Sequence, residues 1–174
     1  MFPLVTNRTR ISPLGFTDLD AFVAYRRVPE VARYQSWGAD YSELQARELI
    51  ESQAGMTMPP QDGWLQLAIQ EVKSGQLVGD LALHALKEQS CFEIGFTIAP
   101  QYQRRGYASE AASALLTGLF NQHGATSVIA TTDSRNLASI RTLEALGFSA
   151  VAEKAWIEWF KGESGTVLHY ERTS

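Results

Sequence analysis

The sequence predicts one mixed α/β domain over residues 1–174. The length is near that of a single common domain, long enough to bury a sizeable core. Apolar side chains recur with a period of two between residues 64 and 98 and with a helical period beyond residue 107. No internal repeat, low-complexity tract or linker breaks the chain.

Residues 8–14 form an opening strand ended by Pro13. Thr17 then caps a helix, with Asp20 three residues on and Leu19, Phe22 and Val23 on one face. Pro29 starts a second, short helical stretch through Val31 and Tyr34, and 36–40 is a loop containing Trp37. Ser42 with Gln45 is a capping box before a helix that carries Ala46, Leu49, Ile50 and Gln53. The two prolines between Gly55 and Gly63 mark a connector. Three strands follow, at 64–72, 77–86 and 91–98, the first two joined through the turn-rich 73–76. In the third, Phe92, Ile94, Phe96 and Ile98 share one face, and Cys91, Glu93, Gly95 and Thr97 the other.

Beyond Pro100, Ala108, Ala111, Ala112, Leu115, Leu119 and Phe120 define a helix closed by Gly124. A short buried strand at 127–132 leads to an amphipathic helix at 136–146, ended by Gly147. Two last strands are expected at 148–160 and 166–172, either side of a turn at 161–165.

Composition excludes several classes of function. Hydrophobic residues make up 45% and the net charge is −4, which argues against a broad basic surface for nucleic acid. One cysteine, Cys91, permits neither an intrachain disulfide nor a cysteine-based zinc cluster, and the three histidines lack ligand spacing. The N-terminal residues lack a signal-peptide core and no stretch is long enough to span a membrane, so a cytoplasmic protein is expected.

The chemistry points to Gln103-Arg104-Arg105-Gly106-Tyr107-Ala108-Ser109, between a strand and a helix. The first amides of a helix have no intrahelical partner and the helix dipole is positive there, so such an end accepts phosphate. Gly106 lets the backbone approach an anion, Ala108 and Ser109 keep the approach open, and Arg104 and Arg105 add positive charge. The pattern is neither a P-loop nor the dinucleotide fingerprint.

Taken with Glu93-Ile94-Gly95-Phe96-Thr97-Ile98-Ala99-Pro100 before it and Asn136-Leu137-Ala138-Ser139-Ile140 and Leu146-Gly147-Phe148 after it, this stretch resembles the GNAT superfamily of acetyltransferases. The opening (Arg8 to Leu14, then Pro29 to Tyr34) resembles in particular the ribosomal-protein N-terminal acetyltransferases RimJ and RimL, so the likeness spans nearly the whole chain. It implies a three-layer fold with a splayed, mostly antiparallel sheet of about 6–7 strands and helices on both faces. It also implies acetyl-CoA as co-substrate with no metal, transfer of acetyl to a primary amine, and a homodimer, for which Trp156, Trp159 and Phe160 offer an apolar surface.

On that resemblance, backbone amides from Arg104 to Ser109 hold the pyrophosphate of CoA. The pantetheine arm pairs with backbone at Phe96, Thr97 and Ile98, and Asn136 bonds it. Attack on a thioester needs a neutral amine, and Glu93 is the candidate base, either directly or through water. Ser139 matches the serine to which the RimL-like pattern assigns protonation of the leaving thiolate. Many relatives use a tyrosine seven residues after the asparagine, and that position here is Leu143. A thiolate of pKa about 8.5 also leaves with little help.

Each residue has a plainer reading as well. Glu93 is otherwise a solvated strand carboxylate, Ser139 a helix-start residue and Asn136 an N-cap. Cys91 is read as a half-buried cysteine rather than a nucleophile. Tyr34, Trp37 and His84 are the candidate acceptor contacts. A protein or peptide N-terminus is the favoured acceptor. A small amine such as an aminoglycoside, polyamine or amino acid is the alternative, as is a non-catalytic acetyl-CoA-binding module.

Overall fold

The computed structural model describes Met1–Ser174. A nine-stranded sheet runs through the molecule: β1 (Leu4–Val5), β2 (Thr9–Pro13), β3 (Gly63–Glu71), β4 (Leu77–Ala85), β5 (Cys91–Ile98), β6 (Ser127–Asp133), β7 (Ser149–Ala150), β8 (Trp156–Phe160) and β9 (Glu163–Thr173). The spatial order is β1-β2-β3-β4-β5-β6-β9-β7, with β8 also paired to β9. Every pairing is antiparallel except β5 with β6.

Helices α1 (Leu19–Arg26), α2 (Pro29–Ala32) and α3 (Glu43–Ser52) lie on one face, and α4 (Tyr107–Gln122) and α5 (Leu137–Ala145) on the other. The alternation read in β5 builds this layering. Phe92 and Ile94 join Leu65, Leu67, Leu81 and Leu83 against Ala111, Leu115 and Leu119 of α4. On the opposite face Ala68 and Leu77 pack with Phe22, Val23 and Ile50. Burial of such side chains contributes about 1.5–3 kcal/mol each.

That second core encloses a polar cluster. Asp80, 2% exposed, accepts hydrogen bonds from Tyr25 and Gln66 and pairs with Arg26, whose guanidinium lies 3.6 Å from the Trp37 ring and 4.0 Å from the Phe22 ring. Burial pushes the Asp80 carboxyl up against the pull of Arg26. The backbones of β4 and β5 come close at Gly79, where a Cβ would sit 2.2 Å from the Thr97 carbonyl oxygen.

Four expectations need correction. Two more strands are present than the upper count of seven, β1 and β7 being only two residues long. The first helix is not capped by Thr17. A 3-10 turn, Phe16–Asp18, begins after Gly15, whose N–H donates to Asp18 (3.2 Å), and α1 continues from it. The strand expected at 148–160 is broken by another 3-10 turn, Ala152–Lys154, because the chain detours between two separate pairings on β9. The turn expected at 161–165 is only Lys161-Gly162, both left-handed, so β9 starts at Glu163. By contrast, Ser42 and Gln45 form the expected capping box on α3. No helix is long and apolar enough to cross a membrane.

Candidate active site

β5 and β6 pair only at their starts, Cys91 with Ser127, Phe92 with Val128 and Glu93 with Ile129. Beyond Glu93 they part. The gap is a cleft of about 570 Å³, walled by residues 94–98 of β5 and by Ala130, Thr131 and Thr132 of β6. Along this gap β5 keeps its pairing with β4 but has no partner on the β6 side, so Phe96, Thr97 and Ile98 offer an extended guest a strand edge to pair with.

The cleft runs on to the start of α4, where Gln103, Arg104, Gly106, Tyr107, Ala108 and Ser109 line it. Gly106 is the N-cap at φ 78° and Arg104 has φ 59°, so the chain bends into the concave shape whose amides gather around an anion. The first α4 bond is made by the Glu110 N–H to the Gly106 carbonyl, leaving the amides ahead of it free. The Gln103 side chain is spent on the Ile98 carbonyl (3.0 Å), which ties this loop to the end of β5.

Arg105 does not line the cleft, and its carbonyl instead accepts a bond from Arg8 (2.8 Å). Arg8 is the cation that sequence reasoning missed. It forks onto Glu110 (2.6 Å), lies over the Tyr107 ring (4.8 Å), and has its Nη2 3.4 Å from where a Gly106 Cβ would stand. Nothing in the sequence links residue 8 to residue 106; the pairing of β1 and β2 with the sheet brings them together. The Tyr107 hydroxyl donates to Glu71 (2.5 Å), which raises its pKa.

On the β6 side, Asn136 caps α5, its Oδ1 accepting from the Ser139 N–H (3.2 Å), while its amide NH₂ has no protein acceptor. Asn136 and Ser139 both line the cleft, so the capping and ligand readings of Asn136 are compatible. Leu143, 1% exposed, forms part of the same wall.

Glu93 stands at the closed end, one residue before the cleft lining begins, on the face opposite Ile94. Its Oε2 lies 3.3 Å from His84 Nδ1, and Thr131, a cleft residue, donates to its Oε1 (3.4 Å). Cross-strand partners share a face, so Trp64, His84, Glu93 and Ile129 form one row, and Thr131, two residues beyond Ile129 on the same face, pairs with His169. His169 has its Nε2 buried without a partner. Burial and Lys154 lower its pKa, opposed by Glu171 and Glu93.

The remaining predicted acceptor residues separate. Tyr34 lines the cleft and a neighbouring pocket shared with Arg33, Arg135 and Lys161. Trp37 does not line the cleft; its ring covers Arg26 and its indole N–H donates to the Arg26 carbonyl (3.3 Å). Lys161 reaches across from the β8–β9 turn to the Ala32 and Trp37 carbonyls, fixing α2 over the cleft. Cys91, beside Thr126, lies outside the cleft.

A sheet that splays beside a helix N-terminus offers an elongated cleft with an anion-accepting end. The family described as acetyltransferase (GNAT) domain matches residues 8–149, and the chain belongs to it; it is an N-acetyltransferase. The chain is 27% identical over 144 residues to the uncharacterized N-acetyltransferase YnaD of Bacillus subtilis (83% of this chain, 81% of that one). A GNAT-family acetyltransferase structure from Bacillus anthracis superposes with a TM-score of 0.85 at 24% identity (98% and 97% covered). Two structures at 16% identity share the fold over 97% of this chain and 96% of theirs. They are the spermidine N-acetyltransferase of Vibrio cholerae with CoA and spermine (TM-score 0.82) and the ribosomal L7/L12 α-N-protein acetyltransferase RimL with CoA (TM-score 0.79). Likeness at that level is one of fold, and it extends to a polyamine enzyme and a ribosomal-protein enzyme alike.

Proposed function

We propose that this enzyme transfers acetyl from acetyl-CoA directly to a primary amine, with the donor lying along the cleft between β5 and β6. The observation that carries the reading is the parting of these strands immediately after Glu93, in a channel that ends on the free amides of α4. The residues fit such a donor. The α4 start, from Arg104 to Ser109, receives the pyrophosphate, with Arg104 adding charge. The backbone at Phe96, Thr97 and Ile98 pairs with the pantetheine arm, and the free NH₂ of Asn136 bonds it.

Glu93 takes the proton from the acceptor ammonium, directly or through a water, so that the neutral amine attacks the thioester carbonyl. The free β5 amides that face the cleft stabilise the oxyanion. Ser139, which lines the cleft, protonates the departing thiolate in this reading; the position seven after Asn136 is a buried leucine.

The favoured acceptor is the α-amino group of a peptide or protein. Helices α1–α3 cover only part of their face of the sheet. Exposed Trp64 stands in the same cross-strand row as His84 and Glu93, and an apolar surface beside the base supports a peptide chain as acceptor. Tyr34 and His84 border this approach. The polyamine enzyme that shares the fold motivates the rival acceptor class. Exposed Trp156, Ile157 and Trp159 on the β8–β9 hairpin support a homodimer, for which light scattering should give twice the chain mass; a monomer at micromolar concentration would remove it.

The test is thiol release from acetyl-CoA against free-N-terminus peptides and a panel of polyamines, aminoglycosides and amino acids. Glu93→Gln should lower kcat about 100-fold or more while CoA affinity holds. Collapse of affinity with kcat unchanged would overturn the assignment of the base.

A further inference from the structure

We infer that His84 and Asp62 form the exit path for the proton that Glu93 removes, a relay that rests on the reading of Glu93 as base. Glu93 sits at the closed end of the cleft with its side chain 20% exposed and has to be emptied of its proton before the next turnover. Its Oε2 lies 3.3 Å from Nδ1 of His84, and the other imidazole nitrogen, Nε2, lies 3.6 Å from Oδ1 of Asp62. The side-chain exposure is 20% at Glu93 and 14% at His84 and reaches 49% only at Asp62, so the line ends at the surface. A single imidazole thus joins an inner carboxylate to a surface one.

The surroundings hold that ring in line. Trp64 stacks on it, with centroids 4.4 Å apart and planes 13° from parallel. His84 pairs across the sheet with both Trp64 and Glu93, so the backbone register fixes all three on one face. Asp62 ends the connector before β3, and Lys87 Nζ lies 3.4 Å from its other oxygen. The charged and titratable groups facing the path are therefore Glu93 and Asp62 at its two ends, Lys87 at the outer end, and His169, which feels the charge of Glu93 from β9. Neither Asp62 nor His84 contacts the α4 phosphate loop or α5, so the relay is separate from donor binding.

The balance of the step is complete. One proton passes from the ammonium to Glu93, from Glu93 to Nδ1, and from Nε2 by way of a water across the 3.6 Å to Asp62 and so to solvent, after which exchange with solvent resets the ring. The amine lone pair then forms the new C–N bond, the C–S bond breaks, and the second amine proton ends on the CoA thiolate. One proton is released to solvent for each acetyl transferred. His84 acts through Glu93, so it is a positioning and relay residue rather than a catalytic one.

The test uses the full-length enzyme with acetyl-CoA and whichever amine, from short Ser- and Ala-initiated peptides and spermidine, turns over fastest. His84→Ala should lower kcat about tenfold, the low end of proton-transfer contributions, with the KM for acetyl-CoA unchanged. Added imidazole should restore most of that loss. Asp62→Asn, at a left-handed position (φ 57°) that asparagine tolerates, should lower kcat by less than His84→Ala does. Independently of turnover, proton NMR of the wild type should show an imidazole N–H resonance, shifted downfield and protected from exchange, that is absent in Glu93→Gln. Wild-type kcat in His84→Ala, or a loss that imidazole does not restore in a folded variant that still binds CoA, would overturn the relay alone. Absence of turnover by the wild type with every amine would instead overturn the reading of Glu93, and the relay with it.

Discussion

Gly106 is the position where one added methyl group should separate donor binding from folding. Its φ of 78° costs a residue with a Cβ roughly 1–2 kcal/mol, through contact of that Cβ with the following carbonyl. Crowding from elsewhere is not the obstacle, because the nearest atom to an added Cβ is Arg8 Nη2 at 3.4 Å, the end of a flexible side chain. Gly106 is exposed and lies outside both cores, so in the free enzyme an alanine there can relax the loop at little expense to stability. A relaxed loop no longer aims the amides of α4, and the lost 1–2 kcal/mol then falls on the bound state. Gly106→Ala should weaken CoA about 5- to 30-fold by titration calorimetry, with a nearly unchanged Tm. Gly106→Asn should lose less, because asparagine adopts the left-handed conformation more readily. Equal affinity in wild type and Gly106→Ala would refute the phosphate cradle. A large fall in Tm with affinity intact would show that the glycine serves the fold rather than the ligand.

Two further outcomes follow from charges held in the structure. Asp80→Ala leaves Arg26 buried without its carboxylate, a loss of about 3–5 kcal/mol, which should lower Tm by on the order of 10 °C in a thermal melt. Hydrogen bonds from Arg135 hold the Asp133 carboxyl below the ordinary range, against the effect of burial. A carboxylate depressed in this way adds stability above its unfolded pKa of about 3.9 and loses it as pH falls through the folded value. Arg135→Gln removes that contribution, so unfolding at low pH, followed by tryptophan fluorescence, should begin at a higher pH than in the wild type.

What the sequence made legible was whatever local chemistry writes into neighbouring residues. The capping box at Ser42, the alternation from Phe92 to Ile98, the helix behind Gly106 and the cap at Asn136 are each encoded within a few positions, and the structure contains all of them. The C-terminal strands were misjudged because β9 is shared by three partners along its length. Its length and the break before β8 are set by pairing with β6, β7 and β8, not by local pattern. Trp37 was read as an acceptor residue from its loop position, yet the buried Arg26 draws its ring into the second core. A cation desolvated by burial needs an aromatic face or a carboxylate, and Arg26 takes both.

The surroundings of Glu93 illustrate the same limit at the site itself. Its place on the strand and its face were readable, because period-two alternation fixes both. Its partners were not: Asp62, His84 and Thr131 come from three different segments, brought together by the β3–β4–β5–β6 register. That register also explains why a carboxylate stands where the strands part. Up to Glu93 and Ile129 the two backbones satisfy each other, and from the next residue onward β5 is open to a guest. A group at the last paired position is held rigidly by the sheet and still borders the opening. One residue earlier it would lie behind a closed ladder and on the opposite face, against α4. One residue later it would again face α4, on a strand that has lost its neighbour. Position 93 therefore meets both requirements for a base in this cleft, a fixed backbone and the acceptor-side face.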